Sequence, residues 1–381
     1  MYREVCILGL YDTGLYAGQL YGEAGIKVTG IDCDRSKPGF YSRYIKAILG
    51  PDPVTHEDDL VRLLVQQSSN KSTKPLLIAS SELYLGFLNS KRDVLRKLYT
   101  FDIPDTQVLE KVLSKSGQFV MATSSGFLVP SYIIVENDSD LPKLNILRSF
   151  PVIIKGDNQL VWKAHKLSKS YIVHDISEMH EVAKRLLGMQ VPFIAQELVH
   201  GPITNNYEYN ALCLDGRIVA ESVIQKKRQH PIPFGAATMI EVVPNSQISE
   251  MGREFVLRNR IEGFSNTEFK YNPSTGQWLF IETNARIWLQ IKLTRNCGVN
   301  YAMEYYNHKD KSSKVFEVKR PLKFRAKWMD LFGELMNLRD TRSIKNLRDM
   351  VLSYNNISSL GLLNLKDMGP FINVFTQRRK K

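Results

Sequence analysis

Residues 265–283 commit this chain to an antiparallel hairpin. Ser265 to Tyr271 and Gln277 to Thr283 alternate as strands around Asn272-Pro273-Ser274-Thr275-Gly276, a turn-rich pentapeptide. If pairing is symmetric about that turn, Tyr271 opposes Gln277 and Glu268 opposes Phe280. Side chains alternate with period two, so Glu268, Glu282 and Asn284 are expected on one face, and a one-residue slip would undo this. Two carboxylates and an amide oxygen suit a hard divalent cation such as Mg²⁺, which takes one or two carboxylates plus the oxygens of a nucleotide phosphate. A half-exposed hairpin with solvated acids fits these residues equally well. Other segments have to decide.

The N-terminal region reads as an open α/β unit. Val5 to Leu8, Val28 to Ile31 and Leu76 to Ala79 are strands, and Tyr16 to Ala24 is a helix, so a parallel sheet is expected. Gly9, Gly14 and Gly18 with Asp32 imitate a dinucleotide site, but Gly9 is followed by Leu10-Tyr11, and a phosphate loop would need lysine where Leu15 stands. The glycines therefore read as a tight strand-to-helix turn. Ser81 to Tyr99 has helical spacing at Leu85, Leu88, Leu95 and Leu98, and a second helix runs from Leu109 to about Ser124. After Gly126 and Pro130, Tyr132 to Val135 and Pro151 to Lys155 are strands. Lys155 leaves a buried strand and needs a partner or a solvent-facing site.

Asp175 to Glu178 supplies caps for a helix ending near Leu187, with Gly188 as its stop. Phe193 to Val199 is an apolar strand interrupted by Gln196-Glu197, and polar groups inside such a run invite a ligand. Tyr207 to Leu214 and Arg217 to Val223 form a hairpin through Asp215-Gly216, followed directly by Lys226-Lys227-Arg228.

With 381 residues, 43% of them hydrophobic, the chain can fill two to three domains. No run of 18 apolar residues and no charged start before an apolar stretch is present, so a soluble, cytoplasmic chain without a membrane span is expected. Cys6, Cys33, Cys213 and Cys297 form no CxxC, the first and third lie in apolar strands, and no HExxH occurs, which argues against disulfides and a zinc enzyme. Of the net charge of +12, only Arg378-Arg379-Lys380-Lys381 is compact, and it reads as a solvated tail. Nucleic acid is unsupported, and ATP or an anionic substrate is an equally economical use of surplus positive charge.

The order of these pieces resembles the ATP-grasp superfamily and, within it, the carboxylate–amine ligases similar to D-aspartate ligase. The resemblance covers roughly residues 1–310. It rests on Phe280 to Arg286 with Glu268, on Gln196-Glu197-Leu198-Val199, and on Lys227-Arg228 to Gly235 with Pro231 and Pro233 between. Gly25 to Asp32 and Pro38 to Tyr44 look like the preceding domain of that group. The resemblance implies an α/β ATP-grasp fold with an α+β lid and a Rossmann-like pre-ATP-grasp domain. Its boundaries are 1–110 for that domain, 111–195 for the lid, 196–308 for the metal and substrate subdomain, and 309–381 for a helical extension. Trp328, Phe332 and Leu335 stand at helical spacing in that extension, a packing or oligomerisation helix by default, and a homodimer is compatible with it.

Residue by residue, the resemblance implies that Lys115 and Lys155 contact ATP phosphates. Glu197 and the backbone of Leu198 and Val199 would hold adenine, and Glu208 the ribose, unless Glu208 is a solvent-facing strand residue. Glu268, Glu282 and Asn284 match Mg²⁺ ligands, with Mn²⁺ as a substitute. Arg286 and Arg228 would neutralise the transferred phosphoryl and the acyl-phosphate oxyanion, with Lys227 in the same anionic region. The implied reaction joins a small carboxylate and an amine, such as an amino acid or a cell-envelope glycan or peptide precursor, through an acyl phosphate, releasing ADP and phosphate. Such chemistry asks mainly for positioning and electrostatics.

Two departures stand out: Gly156 to Lys163 is poor in glycine for a phosphate loop, and Trp288 and Leu289 sit where small residues admit substrate. The alternatives are an ATP-binding regulatory protein that makes no amide, and a Mg²⁺ phosphohydrolase, which would leave Gln196-Glu197 and the two lysines unexplained.

Overall fold

The computed structural model describes residues 4–69, 71–158, 161–162, 165–168, 170–232, 235–310, 317–341 and 344–379. Gln159, Leu160, Lys163, Pro233, Lys380 and Lys381, named in the segments above, lie outside the described residues. The N-terminal part supplies β1 (Val5–Leu8), α1 (Asp12–Glu23), β2 (Val28–Asp32), β3 (Lys46–Leu49), α2 (Glu57–Ser68), β4 (Leu76–Ala79), α3 (Glu82–Ser90) and α4 (Arg92–Leu98). Its sheet has the order β3-β2-β1-β4 with every pair parallel. A parallel strand covered on both faces needs an unbroken apolar run, and Val-Cys-Ile-Leu of β1 is buried throughout.

The turn from β1 into α1 requires its glycines. Gly9 has φ +90, and a Cβ on Gly14 would stand 1.9 Å from the Gly9 carbonyl oxygen. The Asp32 carboxylate accepts the Leu10 amide at 2.6 Å and the Asp34 amide at 2.9 Å, so it ties the turn internally rather than facing a ribose. The helix expected over residues 81–99 breaks at Lys91 into α3 and α4.

Next come α5 (Thr106–Leu113), α6 (Lys115–Ser124), β5 (Tyr132–Val135), β6 (Val152–Gly156), β7 (Tyr171–Val173), α7 (Ile176–Gly188) and β8 (Phe193–Glu197). The single helix expected up to Ser124 is two, because Ser114 adopts an extended conformation and its side chain caps α6 by accepting the Gly117 amide. The strands form an antiparallel sheet in the order β5-β8-β6-β7. Helix α7 covers it with Met179, Ala183 and Leu186, spaced as one helical stripe.

The remainder holds β9 (Asn206–Leu214), β10 (Arg217–His230), β11 (Ala236–Val242), α8 (Ser246–Arg258), β12 (Gly263–Asn272), β13 (Gln277–Asn284), α9 (Tyr301–Asp310), β14 (Lys327–Met329), α10 (Leu331–Thr341), α11 (Ile344–Leu352), β15 (Ile357–Ser359) and α12 (Gly369–Arg379). Seven strands pair in the order β13-β12-β9-β10-β11-β14-β15. On one face α8 packs Gly252 against the Tyr209 ring, and Phe255 joins Phe119, Phe127, Phe269 and Phe280 in an aromatic cluster. Phe119, Phe255, Phe269 and Phe280 are fully buried, and each contributes about 1.5–3 kcal/mol relative to exposure.

Residues after 309 depart from the helical expectation. β14 pairs antiparallel with β11 and β15 parallel with β14, so the tail extends the sheet at its edge. Trp328 lies on β14, whereas Phe332 and Leu335 lie on α10. Cys6 and Cys213 are buried free thiols, as their apolar strands imply. Among the described residues, no helix is long and apolar enough to cross a membrane.

Candidate active site

The hairpin register differs from the symmetric expectation by one residue. Asn272 pairs with Gln277, and the turn is the four residues 273–276, with Gly276 at φ +69. A bulge then absorbs Ile281, because Phe269 opposes Phe280 while Glu268 opposes Glu282. The two carboxylates therefore face each other across adjacent strands, and Glu208 of β9 stands on the other side of Glu268. Asn284, Asn266 and Asn210 form the next row. Three carboxylates on strands about 4.8 Å apart repel one another unless cations intervene.

Two lysines intervene. Lys226 of β10 lies two residues beyond Ile224, which opposes Glu208, so it shares the acidic face. Its Nζ is 2.6 Å from Glu268 Oε2 and 3.4 Å from Glu208 Oε1. Asn266 Nδ2 donates to the other Glu208 oxygen at 2.7 Å and to Asn210 Oδ1 at 2.8 Å. Lys115, the first residue of α6, donates to Glu282 Oε2 at 2.7 Å.

The charges shift accordingly. The Lys115 ammonium, with Lys155 and Lys226 behind it, outweighs burial and holds Glu282 well below the ordinary carboxylate range. Burial raises Glu268 to about 7, with Glu208 and Glu282 adding to the rise against the pull of Lys226. Burial works against the Lys226 ammonium, yet Glu268 and Glu208 hold its pKa well above the lysine range.

Lys115 is placed by a clamp that no motif announces. Asp157, just after β6, accepts the Ser116 amide at 2.6 Å and the Ser114 hydroxyl at 2.9 Å, while its carbonyl accepts the Lys115 amide at 3.1 Å. A carboxylate at a helix N-terminus also meets the positive end of the helix dipole. Buried Gln118 then pins α6 to the hairpin, donating to the Val112 carbonyl and accepting the Thr283 amide at 3.0 Å. Lys155 Nζ of β6 lies 5.8 Å from the centroid of the Phe119 ring of α6.

Several expected residues already have partners within the fold. Glu197 accepts the Arg148 and Ser149 amides at 2.8 Å each, so its carboxylate fastens the loop before β6. Leu198 and Val199 follow β8, and the Leu198 amide donates to the Pro151 carbonyl at 3.3 Å. Lys227 sits at a bulge in β10 and pairs with Glu241 at 3.2 Å beside Gln225, away from the acids. Arg228 binds Glu334 of α10 at 2.7 Å and Ser353 at 2.9 Å. Arg286 is held by Glu82 of α3, through Nε at 2.8 Å and Nη2 at 2.6 Å. Burial would raise the Glu82 pKa, but Arg286 and then Lys115 pull it below the usual range. Glu208, whose alternative is a solvent-facing position, is 4% exposed.

No family model matches the chain. A D-aspartate ligase of Enterococcus faecium is 23% identical over 273 residues, 66% of this chain and 63% of the relative. The chain therefore spans less than two thirds of that curated relative. An N5-carboxyaminoimidazole synthetase from Staphylococcus aureus complexed with ADP superposes with a TM-score of 0.67 at 14% identity, covering 90% of this chain and 86% of that one. An L-amino acid ligase from Bacillus licheniformis gives 0.61 at 15% identity, covering 80% and 73%.

The chain has the ATP-grasp fold.

Lys155 and Gln196 belong to the β5-β8-β6-β7 sheet, and the carboxylate row belongs to the seven-stranded sheet. Two features suit a nucleotide with a divalent cation. Gln196, the β8 residue opposite Tyr132 and Ile153, is 3% exposed and its Oε1 has no partner among the described residues, an acceptor buried on the face it shares with Lys155. The donor set Glu268, Glu282 and Asn284 is all oxygen. Among the described residues, no three acidic, histidine or cysteine side chains form a ready-made metal cage, so phosphate oxygens would have to complete the shell. Sequence reasoning missed Lys226, Gln118, Asp157 and Glu82. Only Lys226, inside the basic run at 226–228, gave a local signal.

Proposed function

We propose that this protein is an ATP-dependent carboxylate–amine ligase that forms an amide through an acyl phosphate and releases ADP and phosphate. The observation that carries the reading is the row Glu208, Glu268 and Glu282 with Lys115 and Lys226 inserted among the acids. Glu268, Glu282 and Asn284 would hold Mg²⁺, which when bound spreads the charge developing on the phosphoryl oxygens. Lys115, now on Glu282, exchanges that carboxylate for phosphate oxygens when ATP arrives, and Lys155 meets them from the lid. Gln196 offers its orphaned oxygen to the adenine amino group.

A substrate carboxylate oxygen attacks the γ-phosphorus and ADP leaves. The amine nitrogen then attacks the acyl carbon, the acyl C–O bond breaks, phosphate departs and the amine loses a proton. Arg286, aimed by Glu82, is placed to stabilise the acyl oxyanion. Arg228 is assigned instead to holding the C-terminal extension. The names of the Enterococcus and Bacillus proteins support an amino acid as one substrate.

The test is phosphate release from ATP and Mg²⁺ with pools of amino acids and small carboxylates, beside a Glu282→Gln control. Release that needs two substrates and disappears in the control is expected. ADP binding without turnover in any pool would favour the regulatory alternative.

A further inference from the structure

The face of β10 turned away from the carboxylate row carries a second charged cluster. Glu221, next to Ser222 and so on the other face of the strand, is 3% exposed. Its Oε2 accepts the Tyr209 hydroxyl at 2.7 Å and Arg253 Nε at 3.1 Å, and its Oε1 accepts Arg253 Nη2 at 2.7 Å and Arg320 Nε at 2.6 Å. Burial would raise the Glu221 pKa, but Arg253, Tyr209 and Arg320 together hold it below the usual range. Arg253 belongs to α8. Arg320 is held against β10 by main-chain bonds, since the Lys319 amide donates to the Val219 carbonyl at 2.8 Å and the Glu221 amide to the Lys319 carbonyl at 2.9 Å. With Arg217, just past the Asp215-Gly216 turn, these two arginines line a cavity of about 520 Å³ whose apolar walls are Ile218, Leu257 and Val318.

We propose that this cavity binds a small organic anion with an apolar body, a carboxylate or a phosphate monoester, on the side of the sheet opposite the carboxylate row. Four donors occupy the two Glu221 oxygens, so that acid can take no third arginine. Among the described residues, Arg217, Arg253 Nη1 and both Arg320 Nη atoms have no acceptor. Glu250 of α8 acts on Arg253 more weakly than Glu221 does, and Glu317 pairs with Lys319 at 3.6 Å. Two acids thus answer three guanidiniums, and one positive charge of the lining is left for a ligand. Guanidinium forks match the paired oxygens of carboxylate and phosphate, and a cavity of this size walled by aliphatic side chains takes an apolar body beside them.

The experiment is calorimetric titration of the full chain with phenyl phosphate and with phenylacetate, in saturating ADP and Mg²⁺ so that nucleotide competes for any binding at the carboxylate row. At least one probe should bind the wild type, and the tighter of the two names the head group. Arg217→Gln/Arg320→Gln should weaken that binding about tenfold or more, through the loss of two charged donors. Arg217→Gln alone, at an exposed position without a partner among the described residues, should keep the wild-type melting temperature and lose part of the affinity. Leu257→Ser, at a side chain 40% exposed, should weaken the aromatic probes as well. Failure of both probes to bind the wild type would overturn the proposal, as would unchanged binding in Arg217→Gln and the double variant. Unchanged binding in Leu257→Ser would overturn the assignment of an apolar body.

Discussion

Replacing Glu334 by leucine separates two accounts of Arg228. Glu334 is 2% exposed, accepts from Arg228 Nε at 2.7 Å, and takes the Thr238 hydroxyl on its other oxygen. Among the described residues, the guanidinium would then keep only Ser353, and its Nη2 is already buried without a partner. Removing one member of a buried pair costs about 3–5 kcal/mol, and because the Arg228 side chain retains 24% exposure, the low end of about 3 kcal/mol applies. For a cooperative unit the size of the seven-stranded sheet and its helices, that lowers Tm by roughly 6–12 °C. The Arg228→Met/Glu334→Leu double variant removes both charges and should recover to within about 1 kcal/mol of wild type. Thermal melts of the four proteins, with phosphate release measured on each, make the test. A Glu334→Leu melt within about 1 °C of wild type would refute the buried-strut account. So would a stable double variant that has lost all turnover, since that would return Arg228 to the chemistry.

Three further outcomes are expected. Burial lowers the Lys292 pKa to about 8 from the ordinary 10.5, against Glu23 and Asp367. The cost of its charge is thus absent above pH 10.5, fully present below about 8, and relieved as pH rises between them. Urea melts across that window should show the wild type gaining stability relative to Lys292→Met, and parallel curves would contradict this. Gly252→Ala should destabilise by about 1–3 kcal/mol despite better helix propensity. The new Cβ would meet the Tyr209 ring at 2.1 Å, and denaturant titration reads the effect. Glu82→Gln should cut turnover about tenfold or more while leaving ADP affinity by calorimetry within about twofold, with Glu82→Asp recovering part of the loss. Equal loss of both would mean that Glu82 acts on folding rather than on Arg286.

How much of this site is legible in the chain depends on parity. Glu282 and Asn284 share a face because they are two residues apart, and any strand would place them so. That Glu268 meets Glu282 depends on the bulge at Ile281, which no local pattern marks. The α/β order of the first 80 residues follows from apolar runs and glycine turns. The breaks at Lys91 and Ser114, and the two strands after 309, depend instead on partners distant in sequence.

The lysines make the point most sharply. Leu214 pairs with Arg217 across Asp215-Gly216, and a regular ladder from there would set Val223 opposite Glu208 and turn Lys227 toward the acids. A bulge at Val219, between the Ile218 and Ala220 pairs, moves Ile224 into that place instead. One inserted residue thus exchanges Lys227 for Lys226 at the centre of the charge cluster. Of two adjacent lysines with identical chemistry, only one can balance Glu208 and Glu268, and the choice is made seven residues upstream by backbone pairing. Lys226→Met should therefore destabilise the fold more than Lys227→Met in denaturant titrations, because it strips the buried acids of their cation, whereas a ladder without the bulge would reverse their roles.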